Sequence, residues 1–223
     1  MKVIVFDLGG TLMEFQGMPP CWADYYEQGL RYANAQLGIY VSEAQLQQGI
    51  EILKQMNPRI NYREEEYTAE FVFNQVLTDW RIKAVAGVYA NIFFEGLPLT
   101  VKIYKDIVSN LVRLKEEGYF IAAFTDVPTG MPEAFYQRQL KDLMSYFDFY
   151  VSSQTCGWRK PNPKGLFDIA AHFQVPVKEL LFIGDEAKDE QAAQNAGCRF
   201  VNVGREKEGV KTPYMYPLDI RIE

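Results

Sequence analysis

The sequence is poor in the residues on which several classes of protein function depend. It has one histidine, His172, and three widely separated cysteines, Cys21, Cys156 and Cys198, among 223 residues. The histidine lies within a predicted helix and supports neither a Ser–His nor a Cys–His catalytic pair. The distant cysteines show no metal-ligand spacing and suit a reducing compartment. These absences argue against a disulfide-rich secreted domain and a cysteine zinc site.

Positive charge and long apolar segments are also scarce. Lys and Arg number 23 against 29 Asp and Glu, a net charge of −6, so we expect no basic surface for nucleic acid or an anionic membrane. No segment approaches the ~18 apolar residues of a membrane span, and the N-terminal apolar run is too short for a signal peptide. We therefore expect a cytoplasmic protein with no nucleic-acid or membrane partner.

Strands and helices alternate over most of the chain. Short apolar runs predict buried strands at Val3–Phe6, Tyr119–Phe124, Phe147–Val151, Leu180–Ile183 and Phe200–Val203. Helical periodicity predicts helices at Ile103–Glu117, Pro132–Met144, Pro163–Phe173 and Glu190–Ala196. This alternation predicts an α/β fold, a Rossmann-like three-layer core around a parallel sheet. The tail after Gly204 receives no assignment.

The region 15–95 follows a different pattern. Residues 14–20 are rich in chain breakers and predict a loop. Beyond them, apolar residues recur at helical spacing without a convincing strand. The predicted helices are Trp22–Leu37, a helix from a capping box at Ser42 to the break at Asn57-Pro58, Tyr67–Trp80 and Ile82–Phe94. We therefore predict a core of residues 1–14 and 96–223, with a helical subdomain of residues 15–95 inserted after the first strand.

Polar residues stand where the predicted core strands end. Asp7, Thr125 and Asp185 follow apolar runs, and Lys160 precedes a predicted helix. Because the carboxyl ends of parallel strands share one edge of a sheet, we expect these side chains to converge. Asp189 lies four residues after Asp185, so a helical segment would place both carboxylates on one side.

These residues could perform phosphoryl transfer to a carboxylate. Asp7 would be the nucleophile. A divalent metal would offset the repulsion between two anions, and Mg²⁺ prefers oxygen ligands. Asp7, the carbonyl of Gly9, Asp185 and Asp189 could supply those oxygens. The stretch around Asp7 has a simpler interpretation as a strand followed by a turn, since Gly9-Gly10 belongs to neither a Walker loop nor a Gly-x-Gly-x-x-Gly motif.

Three further groups would contact the substrate. The hydroxyl of Thr125 and the adjacent residue Asp126 would hold the transferred group, and Lys160 would balance its remaining charge. We accordingly assign catalytic roles to Asp7, Thr125 and Lys160, and substrate binding to Thr125, Asp126 and Lys160.

Four motifs in this order resemble those of the haloacid dehalogenase superfamily over nearly the whole chain. The matching segments are Asp7-Leu-Gly-Gly-Thr11, Thr125, Lys160-Pro-Asn-Pro163 and Gly184-Asp-Glu-Ala-Lys-Asp189. The resemblance implies that residues 15–95 are a helical cap that selects the substrate. It also implies a Mg²⁺-dependent hydrolase of small phosphomonoesters that forms an aspartyl-phosphate on Asp7. The expected partner is a small phosphorylated metabolite, and the expected state is a monomer or homodimer.

One position departs from the family pattern. Phosphatases of the superfamily usually carry a second Asp two residues after the nucleophile, where it protonates the leaving group, and here Gly9 stands there. Losing a general acid or base typically costs about 10²–10⁴-fold in rate. Phosphoryl transfer would be weakened without being abolished. Asp126 or Glu14 could replace the missing acid.

The departure leaves two alternative functions open. Dehalogenases of the superfamily also lack the second Asp, need no metal and place an arginine early in the cap, where this chain offers Arg31. A non-catalytic or weakly active descendant could bind a metabolite instead. The presence of Asp7, Lys160, Asp185 and Asp189 argues against a non-catalytic protein.

Overall fold

The central sheet is built from short apolar strands. The computed structural model describes residues 2–17, 19 and 21–203 of the chain. Its strands are β1 (Val3–Phe6), β2 (Met13–Gln16), β3 (Thr100–Ile103), β4 (Phe120–Thr125), β5 (Phe149–Ser152), β6 (Leu180–Gly184) and β7 (Arg199–Asn202). Five of them form one sheet in the order β5-β4-β1-β6-β7, and each neighbouring pair is parallel. The predicted α/β class is therefore confirmed.

Strand β1 lies at the centre of this sheet, and all of its residues are buried. Val3 and Val5 belong to one apolar cluster, while Ile4 and Phe6 are fully buried as well. Successive side chains of a strand point to opposite faces. Burial on both faces is typical of a parallel sheet covered by helices, and it explains why β1 reads as a continuous apolar run.

Helices account for most of the remaining described residues. The α-helices are α1 (Tyr26–Leu37), α2 (Glu43–Met56), α3 (Ala69–Asp79), α4 (Ala86–Glu95), α5 (Ile107–Glu116), α6 (Glu133–Gln139), α7 (Lys141–Met144), α8 (Ser153–Cys156), α9 (Lys164–Phe173) and α10 (Ala187–Ala196). Short 3₁₀ helices occupy Trp22–Tyr25 and Val177–Glu179. Leu166 and Ile169 of α9 and Ala192 of α10 pack in the same cluster as Val3 and Val5.

The chain divides into two compact units. Among the described residues, the first comprises residues 2–14, Val101–Asp126 and residues 140–203, and it contains the parallel sheet. The second comprises Phe15–Thr100 and Val127–Gln139. The predicted helical insert of residues 15–95 lies within the second unit. That unit also contains the separate segment with helix α6, which the predicted boundaries placed in the core.

The second unit is helical for local reasons. Helix α1 ends at Gly38, whose φ of 62° is the left-handed conformation that glycine adopts without strain. Helix α2 begins with the predicted capping box, since the Ser42 hydroxyl accepts from Gln45 N and the Gln45 side chain accepts from Ser42 N. Helix α2 ends before Asn57, as the Asn57-Pro58 break predicted.

Some predicted elements were wrong. The predicted loop 14–20 begins as strand β2, which pairs with β3 in a two-stranded sheet, and β3 was also missed. These strands are short, and distant pairing stabilises them. The single helix predicted at Pro132–Met144 is interrupted at Leu140. Met18, Pro20 and the tail after Gly204 lie outside the described residues.

His172 packs against an aromatic ring. Its imidazole stacks on the ring of Phe149 at a centroid distance of 3.7 Å.

No helix among the described residues has the length and apolar character needed to cross a membrane.

Candidate active site

The register of three strands brings the predicted site residues to one edge of the sheet. Phe6 of β1 pairs with Ala123 of β4 and with Ile183 of β6. Strand β1 ends at Phe6, while β4 runs two residues further and β6 one, so Asp7, Thr125 and Asp185 all lie at the carboxyl edge. The chain adds strands to one side of β1 and then, through β6, to the other. Open α/β sheets bind ligands at such a reversal of strand order.

Lys160 connects two carboxylates at this edge. Its Nζ donates to Asp7 Oδ1 at 2.6 Å and lies 2.5 Å from Asp189 Oδ1. The side chains are 1% exposed for Lys160, 7% for Asp7 and 0% for Asp189. The predicted nucleophile and the predicted fixed cation are therefore in direct contact in a site that largely excludes water.

Three carboxylates form a candidate metal site. Asp7, Asp185 and Asp189 each offer an oxygen, and these oxygens lie within 4.8 Å of one another. Asp189 Oδ1 has no hydrogen bond with acceptable geometry, although it lies close to Lys160. Hard carboxylate oxygens are the ligands that Mg²⁺ prefers, so the donor set fits this ion.

Hydrogen bonds orient two of these carboxylates. Asp189 Oδ2 accepts from the backbone N–H groups of Asp185 and Glu186, at 3.1 and 2.9 Å. The Thr11 hydroxyl donates to Asp185 Oδ1 at 2.8 Å. Thr11, the last residue of the first motif, thus supports the first aspartate of the fourth. The backbone between β6 and α10 thus fixes Asp189 in the first turn of α10, and Thr11 fixes Asp185.

The two glycines of the first motif have different surroundings. Gly10 has a φ of 83°, and a Cβ there would collide with the carboxylate of Asp185. Only glycine therefore fits beside Asp185 without rearrangement. A Cβ at Gly9 would meet nothing within 4 Å. The position where the superfamily usually has its second Asp thus has room for a side chain, and the Gly9 carbonyl stays a predicted metal ligand.

Burial dominates the electrostatics of the nucleophile. Burial raises the pKa of Asp7, Lys160 opposes that rise, and the nearby Asp189 and Asp185 add to it, so the pKa is about 8. Burial lowers the pKa of Lys160, but Asp189 and Asp7 outweigh burial and hold it well above its usual value. Burial also raises the pKa of Asp185. The cluster thus has an excess of carboxylates, which a bound cation would stabilise in the ionised form.

A second group of charges adjoins this cluster. Asp126 Oδ1 accepts from Lys160 N at 3.1 Å, and Asp126 Oδ2 lies 3.1 Å from Lys188 Nζ and 3.9 Å from Arg159. Burial opposes ionisation of Asp126, but Lys188, Arg159 and Lys160 together lower its pKa well below the usual range. An ionised Asp126 is a poor proton donor at neutral pH, which argues against its role as the replacement acid.

Sequence reasoning did not assign roles to Arg159, Lys188 or Thr11. Lys188 lies between the two aspartates of the fourth motif, and Arg159 directly precedes Lys160. Proximity to assigned positions was therefore the only available signal. The contacts of Arg159 and Lys188 with Asp126, and of Thr11 with Asp185, depend on the pairing of distant strands.

Three further candidate residues, Thr125, Glu14 and Arg31, differ in their burial and in the residues they contact. Thr125 is 2% exposed at the end of β4, and its contact with a transferred group stays a prediction. Glu14 contacts Lys102 Nζ at 3.0 Å and Tyr104 Oη at 3.3 Å. Arg31 of the second unit is half exposed and pairs with Glu27 and Glu43. Two carboxylates thus already engage the arginine on which the dehalogenase alternative depended.

Comparison with known proteins gives consistent relationships. A family model described as haloacid dehalogenase-like hydrolase matches residues 1–197. A phosphoglycolate phosphatase of Aliivibrio fischeri is 28% identical over 200 residues, which are 89% of this chain and 82% of the relative. A phosphoglycolate phosphatase of Pasteurella multocida is 30% identical over 129 residues. That alignment spans 58% of this chain and only 57% of the relative's length.

A solved structure supports the fold. The crystal structure of a HAD phosphatase from Thermococcus onnurineus has a TM-score of 0.58 at 18% identity. The match covers 96% of this chain and 91% of that one. At this identity the similarity concerns the fold, and it agrees with the sheet and helices described above.

Proposed function

The chain belongs to the haloacid dehalogenase-like hydrolases, and on that premise we propose that it is a Mg²⁺-dependent hydrolase of small phosphomonoesters. The observation that carries the proposal is the buried contact of Asp7 with Lys160, beside the carboxylates of Asp185 and Asp189. The names of the phosphoglycolate phosphatase relatives support a phosphomonoester as the substrate. The reaction would proceed through an aspartyl-phosphate on Asp7.

In the first step, Asp7 would attack phosphorus. Lys160 contacts Asp7 Oδ1, so we assign the attack to Oδ2. A bond forms between this oxygen and phosphorus, and the ester oxygen departs with the bonding electrons. Lys160 keeps Asp7 oriented and offsets negative charge in a buried site, where electrostatic interactions are strong. Thr125, at the same edge, would hold the phosphoryl group.

In the second step, water would attack the phosphorus of the aspartyl-phosphate. The bond to Asp7 breaks, the carboxylate is regenerated and inorganic phosphate leaves. Asp7, Asp185, Asp189 and the Gly9 carbonyl would hold Mg²⁺, which when bound supplies positive charge that offsets the repulsion between carboxylate and phosphate.

Gly9 limits the choice of leaving group. It has no side chain to protonate the departing oxygen, and Asp126 is held ionised by neighbouring cations. We therefore expect leaving groups that are stable as anions, such as phenolates, to react faster than simple alkoxides. The size of that difference depends on whether another residue supplies the proton.

The proposal extends to partners and location. We propose a small phosphorylated metabolite as the partner and a cytoplasmic location, without a nucleic-acid or membrane partner. The net charge of −6 supports the absence of a nucleic-acid or anionic-membrane partner. We propose a monomer or a homodimer as the assembly state.

Metal dependence tests the proposal directly. The protein should hydrolyse p-nitrophenyl phosphate with Mg²⁺, lose the activity in EDTA and regain it when Mg²⁺ is restored. Release of halide from 2-haloacids in the presence of EDTA would instead identify a dehalogenase. A protein with neither activity, whose melting temperature rises when a phosphorylated metabolite is added, would be identified as a non-catalytic binding protein.

Replacing the nucleophile tests the assigned mechanism. Asp7→Asn should lower turnover about 10⁴-fold or more, because an amide cannot form the aspartyl-phosphate. The matched control is Asp168→Asn, a partly exposed residue of α9 that pairs with Lys164. Circular dichroism should show that both variants fold. Wild-type turnover by Asp7→Asn would exclude Asp7 as the nucleophile.

A further inference from the structure

Lys188 is a second lysine of the site whose surroundings differ from those of Lys160. It lies in the first turn of α10, directly before Asp189. Its Nζ is 3.1 Å from Asp126 Oδ2 and 2.7 Å from Glu186 Oε2. The Lys188 side chain is 29% exposed. This lysine therefore adjoins the buried cluster while keeping part of its surface open to solvent.

Lys160 is already engaged by the protein. Its ammonium group has three hydrogens and three nearby acceptors, namely Asp7 Oδ1 at 2.6 Å, Asp189 Oδ1 at 2.5 Å and Phe124 O at 3.4 Å. Its side chain is 1% exposed. Within the described residues, Lys188 has two ion-pair partners. An incoming anion would therefore reach Lys188 more easily than Lys160.

The charge of the cluster favours the binding of an anion by Lys188. Carboxylates outnumber cations, the acidic residues being Asp7, Asp126, Asp185, Glu186 and Asp189 and the basic ones Arg159, Lys160 and Lys188. A divalent cation would offset the difference, but a phosphate dianion would then add two negative charges again. A partly exposed cation beside the cluster would lower the free energy of the bound anion.

Asp126 fixes the position of Lys188. Its side chain is 6% exposed, and its two oxygens face Lys160 N and Lys188 Nζ, both at 3.1 Å. One buried carboxylate thus connects the loop that carries Lys160 with the helix that carries Lys188. Such a bridge restricts the long lysine side chain, which would otherwise lose conformational entropy on binding an anion.

We infer that Lys188 binds the phosphate group of the substrate as a second cation, and that Asp126 is the positioning residue that holds it. The identity of the anion rests on the proposed function. The ammonium group would donate a charge-assisted hydrogen bond to a phosphate oxygen, an interaction about twice as strong as a neutral hydrogen bond.

The first test compares Lys188→Met with the wild type. Isothermal titration calorimetry with Mg²⁺ present should show inorganic phosphate binding about tenfold or more weakly to the variant. KM for p-nitrophenyl phosphate should rise by a similar factor, with a smaller change in kcat. Lys188→Arg should recover part of the affinity. Lys188→Gln supplies a second neutral variant in case Lys188→Met does not fold.

A matched control removes a lysine elsewhere in the same unit. Lys115 of α5 has a similar exposure, 34%, and pairs with Asp148 at 2.7 Å. Asp148 precedes β5 and accepts from Ile121 N, near the start of β4 and so at the opposite edge of the sheet. Lys115→Met should leave phosphate affinity and KM unchanged. Mg²⁺ affinity measured without phosphate should not fall in Lys188→Met, because Lys188 binds the anion rather than the metal.

The second test concerns Asp126. Asp126→Asn keeps an oxygen for Lys160 N but removes the charge opposite Lys188, so phosphate affinity should fall less than in Lys188→Met. The double variant should bind phosphate no more weakly than Lys188→Met alone, since both changes act through one cation. Fully additive losses would contradict the positioning role of Asp126.

The outcomes separate this inference from the proposed function. Phosphate affinity and KM within twofold of wild type in both Lys188→Met and Lys188→Gln would overturn the inference while leaving phosphatase activity intact. Binding of phosphate that depends on Lys188, without hydrolysis, would support the inference and contradict the proposed function. A wild-type protein that neither binds inorganic phosphate nor hydrolyses p-nitrophenyl phosphate would overturn both the inference and the proposed function.

Discussion

The two units of the chain bury polar groups of different kinds. In the described part of the second unit, two neutral amides, Asn34 and Asn57, are buried as whole residues. One ion pair, Arg63 with Glu66 at 3.4 Å, also has little exposed side-chain surface. Tyr89 Oη donates to Asn34 Oδ1 at 2.7 Å, and Asn57 Nδ2 donates to Tyr26 Oη at 2.9 Å. Burial raises the pKa of both tyrosines, so they stay neutral. Such pairs satisfy their hydrogen bonds within a helical core.

The first unit buries a whole cluster of ionisable groups. Asp7, Lys160 and Asp189 have almost no exposed side-chain surface, and Arg159 is 7% exposed. Taking charges out of water costs several kcal/mol per ion, which their mutual attraction does not reliably recover. Stability alone therefore gives no reason to keep this cluster. The contrast between the units indicates that the buried ionisable cluster of the first unit serves catalysis rather than stability.

Removal of Lys160 should have the largest effect on stability. Lys160→Met leaves Asp7 and Asp189 buried without their shared cation, so the free energy of unfolding should fall by about 3 kcal/mol. The neighbouring rings of Phe124 and Phe182 would accept the apolar side chain. Urea unfolding of the metal-free protein measures the change, with Lys115→Met as the control. A loss below about 1 kcal/mol would indicate that the buried charges resemble the neutral pairs in energetic importance.

An added carboxylate at Gly9 should increase activity. The Cβ of Gly9→Asp would meet nothing within 4 Å, and the new acid could protonate an alkoxide leaving group. Turnover of an alkyl phosphate should rise about 10²-fold, with a smaller rise for p-nitrophenyl phosphate. Gly9→Asn has a similar shape without the acid and is the matched control. An equal effect of both variants on both substrates would exclude proton transfer as the cause.

Mg²⁺ binding should depend on pH through Asp7. Burial raises the pKa of Asp7 to about 8, with Lys160 opposing the rise, so Mg²⁺ must displace a proton below that pH. The affinity for Mg²⁺ should therefore increase with pH, by up to about tenfold per unit, and level off above about pH 8. Stability of the metal-free protein should show the reverse trend, because the protonated Asp7 favours the folded state and this contribution is lost as pH rises through 8. A Mg²⁺ affinity that is constant between pH 6 and 8 would contradict both expectations.

Loss of a neutral pair should have the smallest effect. Tyr89→Phe removes the donor to Asn34 Oδ1 in the second unit, and the free energy of unfolding should fall by about 1 kcal/mol. Tyr40, which is 93% exposed, supplies the control variant Tyr40→Phe, which should unfold like the wild type. A loss as large as that of Lys160→Met would remove the energetic difference between the two units.

Local sequence was sufficient for much of the fold. The apolar runs of β1, β4 and β6 predicted buried parallel strands because burial on both faces leaves no polar alternation. Gly38 and the Ser42 capping box marked helix ends because their effects arise within a few residues. Strands β2 and β3 were missed because neither is a continuous apolar run, since both carry polar and partly exposed residues. Each is paired with a partner that is distant in the chain.

The sequence by itself determined the order of the motifs and the kinds of chemical groups at the ends of the strands. Asp7, Lys160, Asp185 and Asp189 could be selected because short apolar runs and their polar ends are local features. Only the tertiary structure decided that Asp126 bridges Lys160 and Lys188, and that Gly9 has open space while Gly10 adjoins Asp185. The physical reason is that charge pairing and steric room depend on distances between segments that are far apart in the chain.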